Sequence, residues 1–146
     1  MLSDFWKWIN KTPEEYAEGE TEQSDGKSEE EFPQFQEMLN LAYEAIDNKV
    51  LDERALDDII TVMALDNESE SVLDYIVDFS SDEQVERIAK AGVRHLQPEA
   101  RWQIAELLYR RKPIGYFEYL TTLIKDKHPY VRQRASNCID MISRLE

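Results

Sequence analysis

Cysteine, histidine and glycine are scarce in this sequence of 146 residues, which has one Cys, two His and four Gly. A single cysteine, Cys138, excludes an internal disulfide and agrees with a reducing compartment. His95 and His128 do not stand with Cys138 at a spacing typical of a metal site, so we expect no bound metal. With few glycines for hairpin turns and many Leu, Glu and Ala residues, the composition favours an all-α protein.

Several signatures of known activities are also missing. The sequence has no Gly-rich phosphate loop, no G-x-S-x-G elbow and no H-E-x-x-H, so we expect no catalytic residues, no cofactor and no enzyme. Carboxylate neighbours such as Asp57 and Asp58 point about 100° apart around a helix and cannot face each other as an acid/base pair. No basic start precedes a long apolar run, so we expect a cytoplasmic protein without a membrane partner.

Basic residues are scarce in the first part of the chain. Residues 1–37 hold 11 acidic and 3 basic residues, residues 38–86 hold 14 and 2, and residues 87–146 hold 6 and 12. Because such a field repels nucleic acid and attracts cations, we expect a basic protein partner and no nucleic acid. The acidity of 38–86 also contradicts a HEAT-like DNA-repair glycosylase, which needs a basic groove. The alternative is that the charge only maintains solubility.

A helical repeat organises the C-terminal half. Asp126 can cap a helix and Pro129 suits its first turn, after which Val131, Arg132 and Ala135 follow at helical spacing. The same pattern occurs 31 residues earlier from Pro98, and a weaker copy places Leu73, Ile76 and Val77 in register. Such repeats are typical of an α-solenoid. The pattern D-x-x-P-x-V-R-x-x-A-x-x-x-I resembles the second helix of HEAT-like repeats; ordinary bundle helices are the alternative.

Helix starts can be placed along the chain from capping residues and prolines. Thr12 and Ser81 begin capping boxes, Asp52 is an N-cap, and Asn67 or Glu68 starts another helix. The chain becomes regular from Pro33, with an apolar stripe that begins at Phe35, and further starts are expected at Pro98, Pro113 and Pro129, giving seven helices from residue 33 onward and one or two before it. Their apolar stripes include Phe79, Phe117 and Leu145, and the inner faces are expected to carry Leu39, Ile59, Leu73, Ile76, Ile88, Trp102, Leu107, Leu120, Ile124 and Ile139.

The first 31 residues differ in composition from the rest. Phe5, Trp6, Trp8 and Ile9 form an aromatic segment too apolar to remain in water, and residues 19–31 form an acidic linker without aliphatic residues. The sequence therefore divides into an aromatic helical segment with its linker, 1–31, and a HEAT-like domain, 32–146. The segment is expected to cap the open end of the solenoid, with a tethered partner-binding motif as the alternative.

One helix carries aromatic and basic residues with two possible uses. Trp102 and Tyr109 lie two turns apart on one face, where core packing is favoured over a ligand cage. Arg110, Arg111 and Lys112 at the end of this helix suit its dipole and its unpaired carbonyls, which is favoured over a nucleic-acid site.

A second resemblance covers roughly residues 35–145. The motifs are Val72-Leu73-x-Tyr75-Ile76-Val77-x-Phe79, then Pro98-x-Ala100-x-Trp102, then Leu107-Leu108-Tyr109-Arg110-Arg111. In this order they resemble the bacterial immunity protein family 30. The resemblance implies an all-helical protein that binds and neutralises a cognate polymorphic toxin. A HEAT-like adaptor or scaffold without a toxin partner is the alternative function, and co-expression with the neighbouring gene product separates the two.

The partner surface is expected on the most acidic stretch. Between residues 52 and 83 the carboxylates are opposed within the stretch only by Arg54. We therefore predict that a basic toxin contacts an acidic face made of Asp57, Asp58, Glu70, Asp74 and Asp78. The identity of the toxin and the oligomeric state cannot be predicted from the sequence.

Overall fold

The computed structural model describes residues 1–19 and 28–145, and all regular structure in these ranges is helical. A single 3-10 turn covers Glu29–Glu31. The α-helices are α1 (Leu2–Ile9), α2 (Pro13–Glu18), α3 (Phe35–Asp47), α4 (Glu53–Leu65), α5 (Ser71–Phe79), α6 (Asp82–Gly92), α7 (Pro98–Arg111), α8 (Tyr116–Leu123) and α9 (Pro129–Leu145). The all-α prediction is confirmed, as are seven helices after residue 33. None of the described helices combines the length and apolar character needed to cross a membrane.

Most helix starts follow the local signals. The side chain of Thr12 accepts the Glu15 N–H at 3.1 Å, and the Glu15 carboxylate accepts the Thr12 N–H, completing a capping box. Ser81 and Gln84 form the second box. The Asp52 carboxylate accepts the N–H of Ala55 at 3.0 Å. Each cap satisfies a backbone N–H that has no partner inside its own helix, which is why these starts were predictable.

Two predicted starts are wrong. Helix α5 begins at Ser71 and not at Asn67 or Glu68, because the buried Asp66 carboxylate accepts the N–H of Val72 at 2.9 Å. Glu70, between them, turns the chain with φ 54°.

Helix α8 begins at Tyr116 and not at Pro113, since Gly115 with φ 84° interposes a turn. Asp126 is not the residue directly before α9 either, because α9 begins at Pro129 and Asp126 lies two residues before His128. It accepts the N–H of His128 at 2.9 Å, and His128 Nδ1 in turn accepts the N–H of Tyr130 at 3.1 Å.

From α3 onward, most helices pack against the next but one in chain order. Contacts join α3 with α5, α5 with α7, α7 with α9, and α4 with α6. Helices α7 and α9 run in the same direction: Trp102 meets Tyr130 near their starts, and Glu106, one turn further along α7, meets Cys138, two turns further along α9. Helix α7 also touches α4, α6 and α8, which makes it the central helix of the molecule.

The core contains most of the residues expected on the inner faces. Among the ten named, Trp102, Ile124 and Ile139 are half-buried against the core and the others are buried. Three apolar residues were assigned to buried stripes wrongly: Phe79 is 62 % exposed, Phe117 is 48 % exposed and Leu145 is 73 % exposed. Phe79 and Leu145 are the last residues of their helices.

The aromatic N-terminal segment is docked on the helical body. Phe5 is fully buried, and its ring centroid lies 5.4 Å from that of Phe32. Helix α1 lines one cavity with α3 and α4, and the Gln97 side chain at the start of α7 donates to the Pro13 carbonyl at 2.9 Å. The segment therefore contacts both halves of the body. The predicted acidic linker falls mainly on residues 20–27, outside the described residues.

Candidate partner-binding site

Two of the predicted contact residues lie together on α4. Asp57 and Asp58 are exposed and line a cavity beside α1 and the connection between α6 and α7. Asp57 Oδ1 lies 3.2 Å from Nε2 of His95, which also contacts the Thr61 hydroxyl at 3.1 Å. Burial lowers the pKa of His95, so its ring is neutral at neutral pH.

The other three predicted residues lie on and before α5. Glu70 is half-buried and pairs with Arg134 of α9 at 2.6 Å, and Asp74 pairs with Arg110 of α7 at 2.9 Å. Asp78 is exposed. Arg54 is the only basic residue that the sequence predicts near these carboxylates. This prediction is wrong, because the arginines that form ion pairs with Glu70 and Asp74 lie on helices distant in sequence. Asp57 and Asp58 share one cavity, Glu70 lines another, and Asp74 and Asp78 line neither.

Beside Asp74 and Asp78, three aromatic side chains form a continuous surface feature that we call the aromatic strip: Tyr43, Tyr75 and Phe79. The ring centroids of Tyr43 and Tyr75 are 4.4 Å apart, and those of Tyr75 and Phe79 are 4.6 Å apart. The two tyrosines are half-buried and Phe79 is exposed. Stacked rings of this kind are held rigidly and present apolar area at low entropic cost.

Carboxylates surround the aromatic strip. The Tyr75 hydroxyl donates to the exposed Asp47 carboxylate at 2.7 Å, and this hydrogen bond raises the pKa of Tyr75. Burial, followed by the charges of Asp66 and Asp74, raises the pKa of Tyr43. Both rings therefore remain neutral phenols across the physiological range. The result is an apolar centre with an acidic rim, the arrangement found in protein interfaces.

The sequence analysis missed the strip because Phe79 was assigned to the core. Tyr75 and Phe79 stand four residues apart and therefore on one helix face, next to Asp74 and Asp78. Asp74 and Asp78 are also four residues apart, each directly before an aromatic residue, and this pattern indicated that the aromatic residues lie on an exposed helix face. Tyr43 joins them only through the packing of α3 on α5, which the sequence does not reveal.

The single cysteine and the side chains that could hold a metal bear on catalysis and metal binding. Burial and the neighbouring Glu106 raise the pKa of the Cys138 thiol to about 12, so it stays protonated and unreactive. Within residues 1–19 and 28–145 no three His, Cys, Asp or Glu side chains converge as metal ligands would.

The chain was compared with known proteins by family, by sequence and by structure. No family model, no curated protein and no solved structure matches it. The residues that resemble immunity protein family 30 include Pro98, Ala100, Leu107 and Leu108 of α7, all of which are buried. Since α7 is the central helix, these positions relate to packing and carry no direct information about a partner.

Proposed function

We propose that this protein is an immunity protein that binds a basic bacterial toxin and holds it inactive in the cytoplasm. The observation that carries the proposal is the aromatic strip with its rim of Asp47, Asp74 and Asp78. Exposed aromatic rings at the centre of a patch supply binding energy, and surrounding charges supply specificity and association rate. The wider acidity of residues 38–86 adds long-range attraction for a cation-rich protein.

We propose further that the body is a HEAT-like solenoid. The contacts between helices two apart in the chain support a stack of two rows, α3, α5, α7 and α9 in one row and α4 and α6 in the other. Helix α5 lies in the first row, so the aromatic strip runs across its outer side. The additional contact between α4 and α7 makes the stack more compact than a regular repeat array.

The predicted contact residues take different parts in this proposal. Asp74 and Asp78 belong to the rim of the aromatic strip, and Asp57 and Asp58 lie beside α1, where they form a second acidic contact. Glu70 is largely committed to Arg134. We therefore expect Asp78, which is exposed and has no ion pair with a described residue, to contribute more to partner capture than Glu70.

Co-expression in bacteria tests the function. The gene product encoded beside this protein is expected to arrest growth when expressed alone and to be harmless when this protein is present. If the neighbouring product is harmless alone, the adaptor or scaffold function without a toxin is to be preferred.

A surface variant tests the site in the same assay. Phe79→Ser should weaken protection and raise the dissociation rate of the complex by roughly tenfold or more, as expected for loss of a central aromatic anchor. Phe117→Ser is the matched control, since Phe117 is 48 % exposed and lies on α8, which packs against α7 and α9. Equal protection by both variants would show that the aromatic strip is not the contact surface.

A further inference from the structure

A second concave feature lies away from the aromatic strip, where α2 meets the first turns of α7 and α9. It is a cleft of about 530 Å³, which is within the usual size range of small-ligand sites. Its walls combine three aromatic rings with three carboxyl groups: Tyr16, Trp102, Tyr130, Glu29, Glu70 and Glu99. Among the described residues that line it there is no Lys or Arg.

The three carboxyl groups differ in how they are satisfied. Glu70 is neutralised by Arg134 at 2.6 Å. Glu29 accepts a hydrogen bond from the Tyr16 hydroxyl, a donor without charge. The Oε2 atom of Glu99 is buried and receives no hydrogen bond from any described residue. A buried hydrogen-bond acceptor without a donor is energetically costly. A ligand that donates a hydrogen bond to Glu99 would remove this cost.

The aromatic groups add a further preference. Trp102 and Tyr130 meet edge to face, with ring centroids 4.7 Å apart, and Tyr130 at the rim is 43 % exposed. Burial, followed by the charge of Arg101, lowers the pKa of His128, so its ring is neutral at physiological pH. Electron-rich ring faces attract cations, and neither the rings nor His128 supplies a competing positive charge.

We propose that this cleft binds a guanidinium or alkylammonium group, with Glu99 and Glu29 accepting its N–H donors and the rings of Trp102 and Tyr130 flanking it. Charge-assisted hydrogen bonds of this kind are stronger than neutral ones. The group can come from an Arg or Lys side chain of a protein partner or from a free small amine. The inference does not require that the partner be a toxin.

Titration of the full-length protein with small probes tests the inference. Acetyl-arginine amide and putrescine are the cationic probes, and acetyl-norleucine amide is the uncharged control. The readout is the NMR signal of the Trp102 indole N–H, identified by its loss in Trp102→Phe. Burial raises the pKa of Glu99 to about 7, so the titration is run at pH 8, where this carboxyl is ionised. A cationic probe should shift the signal saturably.

Variants assign the shift to the cleft. Glu99→Gln should weaken binding of the cationic probe about tenfold, which matches the loss of a charged acceptor. Tyr130→Leu, at the exposed rim, should weaken it by a smaller factor and serves if Glu99→Gln does not fold. Asp78→Asn, an exposed acid outside the cleft, should leave it unchanged.

Each result of the titration leads to a different conclusion about the cleft. Saturation by acetyl-arginine amide supports a protein side chain as the source of the cation, and saturation by putrescine alone supports a free amine. The inference is overturned if neither cation shifts the Trp102 signal saturably, or if acetyl-norleucine amide shifts it equally.

Discussion

Residues 38–86 and residues 87–146 have opposite charge, with 14 acidic and 2 basic residues in the first region against 6 and 12 in the second. In the structure three arginines of the second region contact the first. Arg110, Arg111 and Arg134 all contact α5 or the residues at its ends. Part of the asymmetry therefore stabilises the molecule, and only the remaining acid is available to a partner.

The three arginine contacts differ in kind. Arg111 donates to the carbonyls of Val77 and Ser80 at 2.9 and 3.0 Å, so it satisfies the otherwise open C-terminal end of α5. Arg134 forms a half-buried ion pair with Glu70, and Arg110 forms an exposed one with Asp74. Burial decides how much each contact contributes, because exposed pairs are screened by water and salt.

Of these three arginine contacts between the two regions, the one made by Arg111 should contribute most to the free energy of unfolding. Arg111→Ala leaves the carbonyls at the end of α5 without a charged donor, and we expect a loss of about 2–4 kcal/mol in the free energy of unfolding. Denaturant unfolding measures it. Arg110→Ala is the matched control and should lose less than about 1 kcal/mol, because its pair is exposed. Equal losses in the two variants would refute the difference between carbonyl binding and surface pairing.

Neutralising Glu70 should have an intermediate effect. Glu70→Gln leaves Arg134 half-buried with only Glu106, at 3.9 Å, and should lower the free energy of unfolding by about 1–2 kcal/mol. Thermal and denaturant unfolding at low and high salt provide the measurement. The control is Glu68→Gln, since Glu68 is exposed two residues earlier. A Glu70→Gln protein as stable as the control would show that the pair is energetically neutral.

The buried acid of the basic region makes a contribution to stability that depends on pH. Burial, with a smaller contribution from the charge of Glu29, raises the pKa of Glu99 from 4.5 to about 7, and this net value already includes the lowering by its backbone hydrogen bond and by Arg101. Between these two values the folded protein binds a proton that the unfolded chain has released, so stability falls as pH rises from 4.5 to 7.

Glu99→Gln removes the group that titrates and with it the loss of stability between pH 4.5 and 7. Its melting temperature relative to wild type should therefore be higher at pH 8 than at pH 4, by about 3–6 °C. Glu118→Gln, at an exposed position, should show no such change. A pH-independent difference between Glu99→Gln and wild type would contradict the raised pKa.

The sequence predicted those parts of the fold that depend on neighbouring residues. The boxes at Thr12 and Ser81 and the first-turn prolines act within one helical turn, so their effect is visible in the sequence. The start of α5 was not predictable in this way, because Asp66 caps it from five residues before, across a turn with a left-handed Glu70.

The candidate sites depend on contacts between distant residues. Glu70 and Asp74 were found from their charge, but Arg134 and Arg110, which pair with them, lie far along the chain. Trp102 was assigned to packing; it is half-buried against the core and also lines a cleft. A side chain that both packs against the core and lines a cleft does so because of the tertiary structure, and the spacing of residues in the sequence does not predict it.

The contact between Gln97 and Pro13 joins residues 84 apart in the chain. During synthesis the ribosome releases residues 1–19 long before α7, so Pro13 and its helix lack part of their binding surface until most of the protein has emerged. The aromatic side chains of Phe5, Trp6 and Trp8 are therefore made well before α7, and the packing of their segment is complete only after α7 has been made.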